Sequence, residues 1–171
     1  MRDPVVEAGS HRNAGPAANG QSEMPNNVPR YTFTQDYDSM GESTIKQIIL
    51  IRRDLKMRRG KEIAQGSHAS MAFLVNRMRQ LPSLDGDFTL ALTGPEQHWI
   101  SQGMAKVCLK VNSEEELLAH HAKAREAGLE SHLIRDSGRT EFNGVPTLTA
   151  CAIGPDESEQ IDVITGDLSL Y

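Results

Sequence analysis

Lys61, Gln65 and His68 are the residues whose types and spacing could do chemistry. On a helix that advances about 100° per residue they fall in one narrow sector, at roughly 0°, 40° and −20°. An ammonium, an amide and an imidazole in one column can stabilise an oxyanion, fix a neighbour's geometry and accept a proton. A second polar group, Arg135-Asp136-Ser137-Gly138-Arg139-Thr140, adds a carboxylate and a hydroxyl. It follows a short strand, so it is a loop at that strand's C-terminal end, where ligands bind in parallel α/β sheets. Each group also has a plainer reading, as the solvated edge of a helix and as a turn closed by an Asp side chain.

The setting favours chemistry. Arg52 to Lys61 carries six basic residues against one acid in a chain of net charge −5. This run links an apolar strand, Ile45 to Ile51, to a helix that begins near Gly60 and continues from Lys61 to about Gln80. Positive side chains beside a helix N-terminus form an anion site, and a polyanion is the expected partner. On the same helical wheel Ile63, Ala64, Ser67, Met71, Leu74, Val75 and Met78 share a stripe, which is the expected core face. Lys61, Gln65 and His68 then lie on a seam between core and solvent.

The remaining elements follow from pattern. Ala105 to Val111 alternates as a strand, and Ser113 with Glu116 forms a capping box for a helix ending at Gly128. Ser131 to Arg135 and Val145 to Ile153 read as strands, and Pro155 as the start of a last helix. Residues 81–103 have no clear period and hold one or two short helices around Trp99. The order predicts an α/β layer fold with a mostly parallel sheet over residues 44–171. If the strands before the two polar groups are parallel, Asp136, Arg139 and Thr140 approach Lys61 and His68. Residues 1–43, rich in Gly, Pro, Asn, Ala and Ser, read as a disordered extension.

Composition excludes several classes. No apolar run approaches the ~18 residues of a membrane span, and no signal pattern opens the chain. A cytoplasmic protein is expected, with Cys108 and Cys151 as reduced core thiols. Histidines without ligand spacing give no metal site, and no phosphate-loop or dinucleotide motif calls for a cofactor. No nucleophile elbow occurs either, so water is the expected nucleophile.

Arg53-Asp54-Leu55-Lys56-Met57, Gly60-Lys61, Ala64-Gln65 and Ser67-His68-Ala69 together resemble the opening signature of the type II peptidyl-tRNA hydrolases. Asp136-Ser137-Gly138-Arg139-Thr140 resembles that family's Asp-Ala-Gly-Arg-Thr loop. Ile153-Gly154-Pro155, Ile161-Asp162, Thr165-Gly166 and Leu168-Ser169-Leu170-Tyr171 resemble its C-terminal part. The resemblance covers about Thr44 to Tyr171. It implies a three-layer α/β/α sandwich with a four-stranded mixed sheet, usually a homodimer. It also implies hydrolysis of the ester between a peptide and the 3′ end of tRNA, with peptidyl-tRNA as partner. On that reading Lys61, His68, Asp136 and Thr140 are catalytic and Gln65 and Gly138 support them. Arg53, Lys56, Arg58, Arg59 and Arg139 bind tRNA phosphates. Asp136 or His68 is the base or water-orienting group. The chain departs from the family at Arg58, where a glycine is usual, and at Ile63, where an alanine is usual. Arg58 would carry strain if its position required φ > 0.

Overall fold

The computed structural model describes residues 45–171. The extension read over residues 1–43 lies outside the described residues. In chain order the elements are β1 (Ile45–Arg52), α1 (Arg59–Met78), α2 (Gly94–Ser101), β2 (Lys106–Val111), α3 (Glu114–Glu126), β3 (Ser131–Asp136), β4 (Thr147–Glu157) and α4 (Ser158–Thr165). The strands form one sheet in the order β2-β1-β4-β3.

The expectation of a mostly parallel sheet needs correction. Only β1 and β2 are parallel neighbours, and β4 pairs antiparallel with both β1 and β3. Three strands still point one way, because β4 is inserted between β1 and β3 with the opposite direction. The C-terminal ends of β1 and β3 therefore lie at the same end of the sheet, as the two polar groups require.

Helices cover both faces. Ile48, Leu50, Val111, Leu117, Cys151, Ile153 and Ile161 form the larger core, between the sheet and the α3/α4 layer. Ile49, Ile51, Ala150 and Ala152 meet Ala69 of α1 on the other face. There α2 packs Trp99 edge-on against Phe73, with ring centroids 5.9 Å apart and planes at 79°. Residues 81–103 thus hold one helix around Trp99. Ser113 caps α3 by accepting from the Glu116 N–H, but the Glu116 carboxylate accepts from the Asn112 N–H rather than from the cap residue.

The expected core stripe of α1 does not face the core. Gln65, Ala69, Ser70, Ala72 and Phe73 are its buried residues, whereas Ile63 and Met71 are 65% and 50% exposed. The sheet beneath already presents Ile49 and Ile51, so small residues let the helix approach closely, and the larger apolar side chains fall on its outer flank. Two further expectations change. Cys108 is exposed on β2 while Cys151 is buried. Pro155 continues β4, because Ile45 and Lys46 of β1 still pair with Glu157 and Asp156, and α4 begins only at Ser158.

A buried ion pair fastens α2. Glu96, 1% exposed, receives two hydrogen bonds of 2.6 Å from Arg77 of α1 and one from the Thr93 N–H. Burial pushes the Glu96 carboxyl up, but the Arg77 and Thr93 hydrogen bonds outweigh it and hold the group below its usual range. Arg77→Ala strands a buried carboxylate and should cost about 3–5 kcal/mol in urea unfolding. Arg77→Ala/Glu96→Leu should lose clearly less, and an equal loss would show that the charge is not the cause.

Candidate active site

Small residues on the buried face of α1 bring its first turns close to the end of β3. Lys61 Nζ lies 2.5 Å from Asp136 Oδ2 and 3.1 Å from Thr140 Oγ1. One turn on, Gln65 Nε2 donates to the same carboxylate oxygen at 3.1 Å. The other oxygen, Oδ1, accepts from the Gly138 N–H at 2.8 Å. Gly138 adopts φ +78°, and a Cβ there would lie 2.4–2.7 Å from the Val145 backbone, so only glycine fits this turn. Lys61 and Asp136 are mostly enclosed, with 13% and 12% of their side chains exposed.

The Lys61 hydrogen bond is the main reason the Asp136 carboxyl lies below its usual range; burial opposes it and the Gly138 and Gln65 donors assist. Asp136 is therefore a charged acceptor and a weak base. It aims the Lys61 ammonium and retains lone-pair capacity on Oδ1 for a water molecule.

Gln65 is fixed from behind. The Thr149 hydroxyl donates to Gln65 Oε1 at 2.5 Å, which leaves the amide nitrogen directed at Asp136. Thr149 was not expected in the site. The β3/β4 register pairs Ile134 with Ala150 but Arg135 with Leu148, so Thr149 is the extra residue of a β-bulge. Thr149 and Ala150 consequently both face α1, where regular alternation would place them on opposite faces. No strand pattern in the sequence signals that break.

His68 is exposed and lines, with Gln65 and Asp136, a groove of about 700 Å³ between α1 and β3. The structure thus brings it to the mouth of the site, outside the Lys61–Asp136–Gln65 network. The basic run divides. Arg52 is structural: it bonds Asp54, Glu114 and the Leu148 carbonyl. Arg53 stacks over the Tyr171 ring at 5.4 Å. Tyr171 lines the opposite flank of α1, beside Ile63 and Gly66, and its hydroxyl donates to Glu62. Arg53 is therefore not gathered with Asp136. Arg58 pairs with Glu141 at 2.7 Å while staying 76% exposed, a partner the sequence did not reveal. Its φ of −64° is ordinary extended backbone, so the arginine carries no strain where a glycine was expected. Lys56, Arg59 and Arg139 are exposed and have no ion-pair partner among the described residues. No three His, Cys, Asp or Glu side chains converge as a metal would require among the described residues, and no helix there is long and apolar enough to cross a membrane.

A mixed sheet between helical layers gathers an ammonium, a carboxylate, an amide and a hydroxyl at one strand end, a set of groups suited to hydrolytic chemistry in a small α/β protein. The chain belongs to the peptidyl-tRNA hydrolase PTH2 family, which matches residues 45–171. It is 41% identical over 126 residues to the peptidyl-tRNA hydrolase of Methanocaldococcus jannaschii, covering 74% of this chain and 99% of that protein. The Methanopyrus kandleri peptidyl-tRNA hydrolase is 43% identical over 126 residues, covering 73% and 97%. A probable peptidyl-tRNA hydrolase 2 from Dictyostelium discoideum is 40% identical, over 74% of this chain and 54% of its own length.

Thr149→Val leaves Gln65 Oε1 buried without its donor, which should cost about 1–3 kcal/mol of stability and lower kcat more than it raises KM. Unchanged kcat would remove Gln65 positioning from the reaction. Asp136 makes a second prediction. Its folded pKa is depressed, so its stabilisation is complete above the unfolded value of about 3.9 and fades as pH falls through the folded one. In urea unfolding the deficit of Asp136→Asn should be full near neutrality and shrink below about pH 4. A deficit constant to about pH 2 would contradict the ion pair.

Proposed function

We propose that the chain hydrolyses the ester joining a peptide, or an N-blocked amino acid, to the 3′ ribose of tRNA, releasing peptide and free tRNA. The observation that carries this reading is the Lys61–Asp136 contact with Thr140 and Gln65 in the same network. The carboxylate holds the ammonium at one point, where it faces the oxygen of an ester carbonyl without reorganising as charge develops. Water held by Asp136 Oδ1 attacks the carbonyl carbon, and His68 at the groove mouth takes its proton. Lys61 and Thr140 stabilise the tetrahedral oxyanion. On collapse the C–O bond to the ribose breaks and the leaving oxygen takes the proton from His68. Lys56, Arg59 and Arg139 contact phosphates, with Arg58 exchanging Glu141 for phosphate when tRNA arrives and Arg53 at the outer margin.

The reading extends to a cytoplasmic homodimer that needs no metal. Lys61 already supplies the positive charge that a Lewis acid would bring. The exposed Ile63 on the outer flank of α1 suits burial against a second copy.

The deciding assay is release of free tRNA from an N-acetylated aminoacyl-tRNA. Lys61→Ala should lower kcat by roughly 10²–10³. Arg59→Ala should leave kcat near wild type, weaken tRNA binding and reduce its log–log salt slope by about one. Binding without cleavage by the wild-type chain would instead identify a non-catalytic RNA-binding domain, and no binding an interaction module.

A further inference from the structure

The groove that begins at Gln65 and Asp136 continues well beyond the reacting groups. One wall is the α1 flank, with Met71, Ala72, Val75 and, at its far end, Arg79. The other is β3, of which every residue from Leu133 to Asp136 contributes. Successive side chains of a strand point to opposite faces, so a continuous run of lining residues means that the groove follows the strand's edge. Among the described residues β3 is an outer strand whose only partner in the sheet is β4. Its other edge presents backbone N–H and C=O groups that can pair with an added chain.

The direction is fixed as well. Lys61 meets Asp136 at one end, and Asn76 meets His132 at 3.3 Å towards the other, so α1 runs antiparallel to β3. From Gln65 to Arg79 the helix rises about 21 Å, the length of roughly six extended residues. Lys56, Arg59 and Arg139 lie towards the Asp136 end, while Met71, Ala72, Val75, Leu133 and Ile134 give the groove an apolar part, mixed with Asn76, Arg79 and Arg135. The groove is continuous with the Asp136 end, so whatever is joined to the reacting ester on the side away from the phosphates has this mixed apolar and polar channel open to it.

We propose that this groove seats the peptide part of the substrate, as an extended chain added to the outer edge of β3. The inference rests on the proposed function, which places the ester carbonyl beside Lys61 and Asp136. The peptide's C-terminal carbonyl then lies at the Asp136 end and its N-terminus points towards Arg79, so it runs parallel to β3. Backbone pairing serves a substrate whose side chains are not fixed, because every residue except proline offers the same donor and acceptor.

The test uses the full chain and acyl-tRNAs that carry one, three, six and nine alanines, N-acetylated. kcat/KM should rise by about tenfold or more to near six residues and then level, as several weak backbone hydrogen bonds would give. Replacing alternate alanines by N-methylalanine should abolish the gain. Val75→Arg should bring the six-to-one ratio of kcat/KM towards unity. Equal kcat/KM at all lengths would overturn the peptide groove and leave the hydrolase reading intact. A gain that survives N-methylation would overturn pairing with β3. No cleavage even of the single-residue substrate would overturn the hydrolase reading itself, and this inference with it.

Discussion

Asp136 accepts hydrogen bonds from three separate places in the chain: Lys61 and Gln65 on α1, and the backbone of Gly138 in its own loop. That convergence sets demands on the whole architecture. β1 and β3 must end on the same side of the sheet, which the antiparallel β4 between them allows. α1 must lie close to the sheet, hence Ala69, Ser70 and Ala72 on its buried face. The loop after β3 must turn sharply enough for its N–H to reach back, hence Gly138 at φ +78°. Each requirement is met by a different local device, and the carboxylate is where they are tested together.

The chemistry was more legible in the sequence than the packing. The column of Lys61, Gln65 and His68, and the Asp136 loop, could be placed because helical spacing and strand ends follow from geometry alone. Gln65 and Lys61 do meet Asp136, with His68 nearby at the groove mouth. The orientation of α1 could not be read the same way. A hydrophobic stripe normally marks the core face, but here the apolar sheet residues Ile49 and Ile51 need only small partners, so Ile63 and Met71 are left outside. Thr149 escaped for a different reason. A bulge changes the parity of a strand, and it depends on the register with the partner strand rather than on local composition. Pro155 misled through propensity, since pairing with Lys46 and Ile45 carries β4 past it.

The basic run after β1 shows how one composition signal separates into several jobs. Arg52, 8% exposed, ties β1 to the start of α3 and to β4, and its charge is already matched by Asp54 and Glu114. Arg53 spreads over Tyr171 on the outer flank of α1. Arg58 leans on Glu141, an exposed contact of the kind that contributes little to stability and is readily exchanged. What remains for a polyanion is a smaller set, Lys56, Arg59 and Arg139, grouped by two loops at one end of the sheet. The count of charges in the sequence therefore overstates the field available to a ligand, while the topology focuses what is left.

The Lys61–Asp136 pair itself is a poor device for stability. Removing both charges from water offsets much of their attraction, and an apolar pair of similar size would serve a fold as well or better. Its arrangement makes sense for direction instead. The carboxylate is held below its ordinary titration range, so it stays charged and does not draw the proton from the ammonium. Gln65 and Gly138 occupy the carboxylate so that it cannot swing, and Thr149 keeps the amide from turning over. The ammonium is held by the Asp136 carboxylate and the Thr140 hydroxyl, with the Phe142 ring 6.0 Å away. A charge fixed before the substrate arrives is the arrangement that stabilises an oxyanion at least cost in reorganisation. The surrounding residues act chiefly to keep that one cation in place.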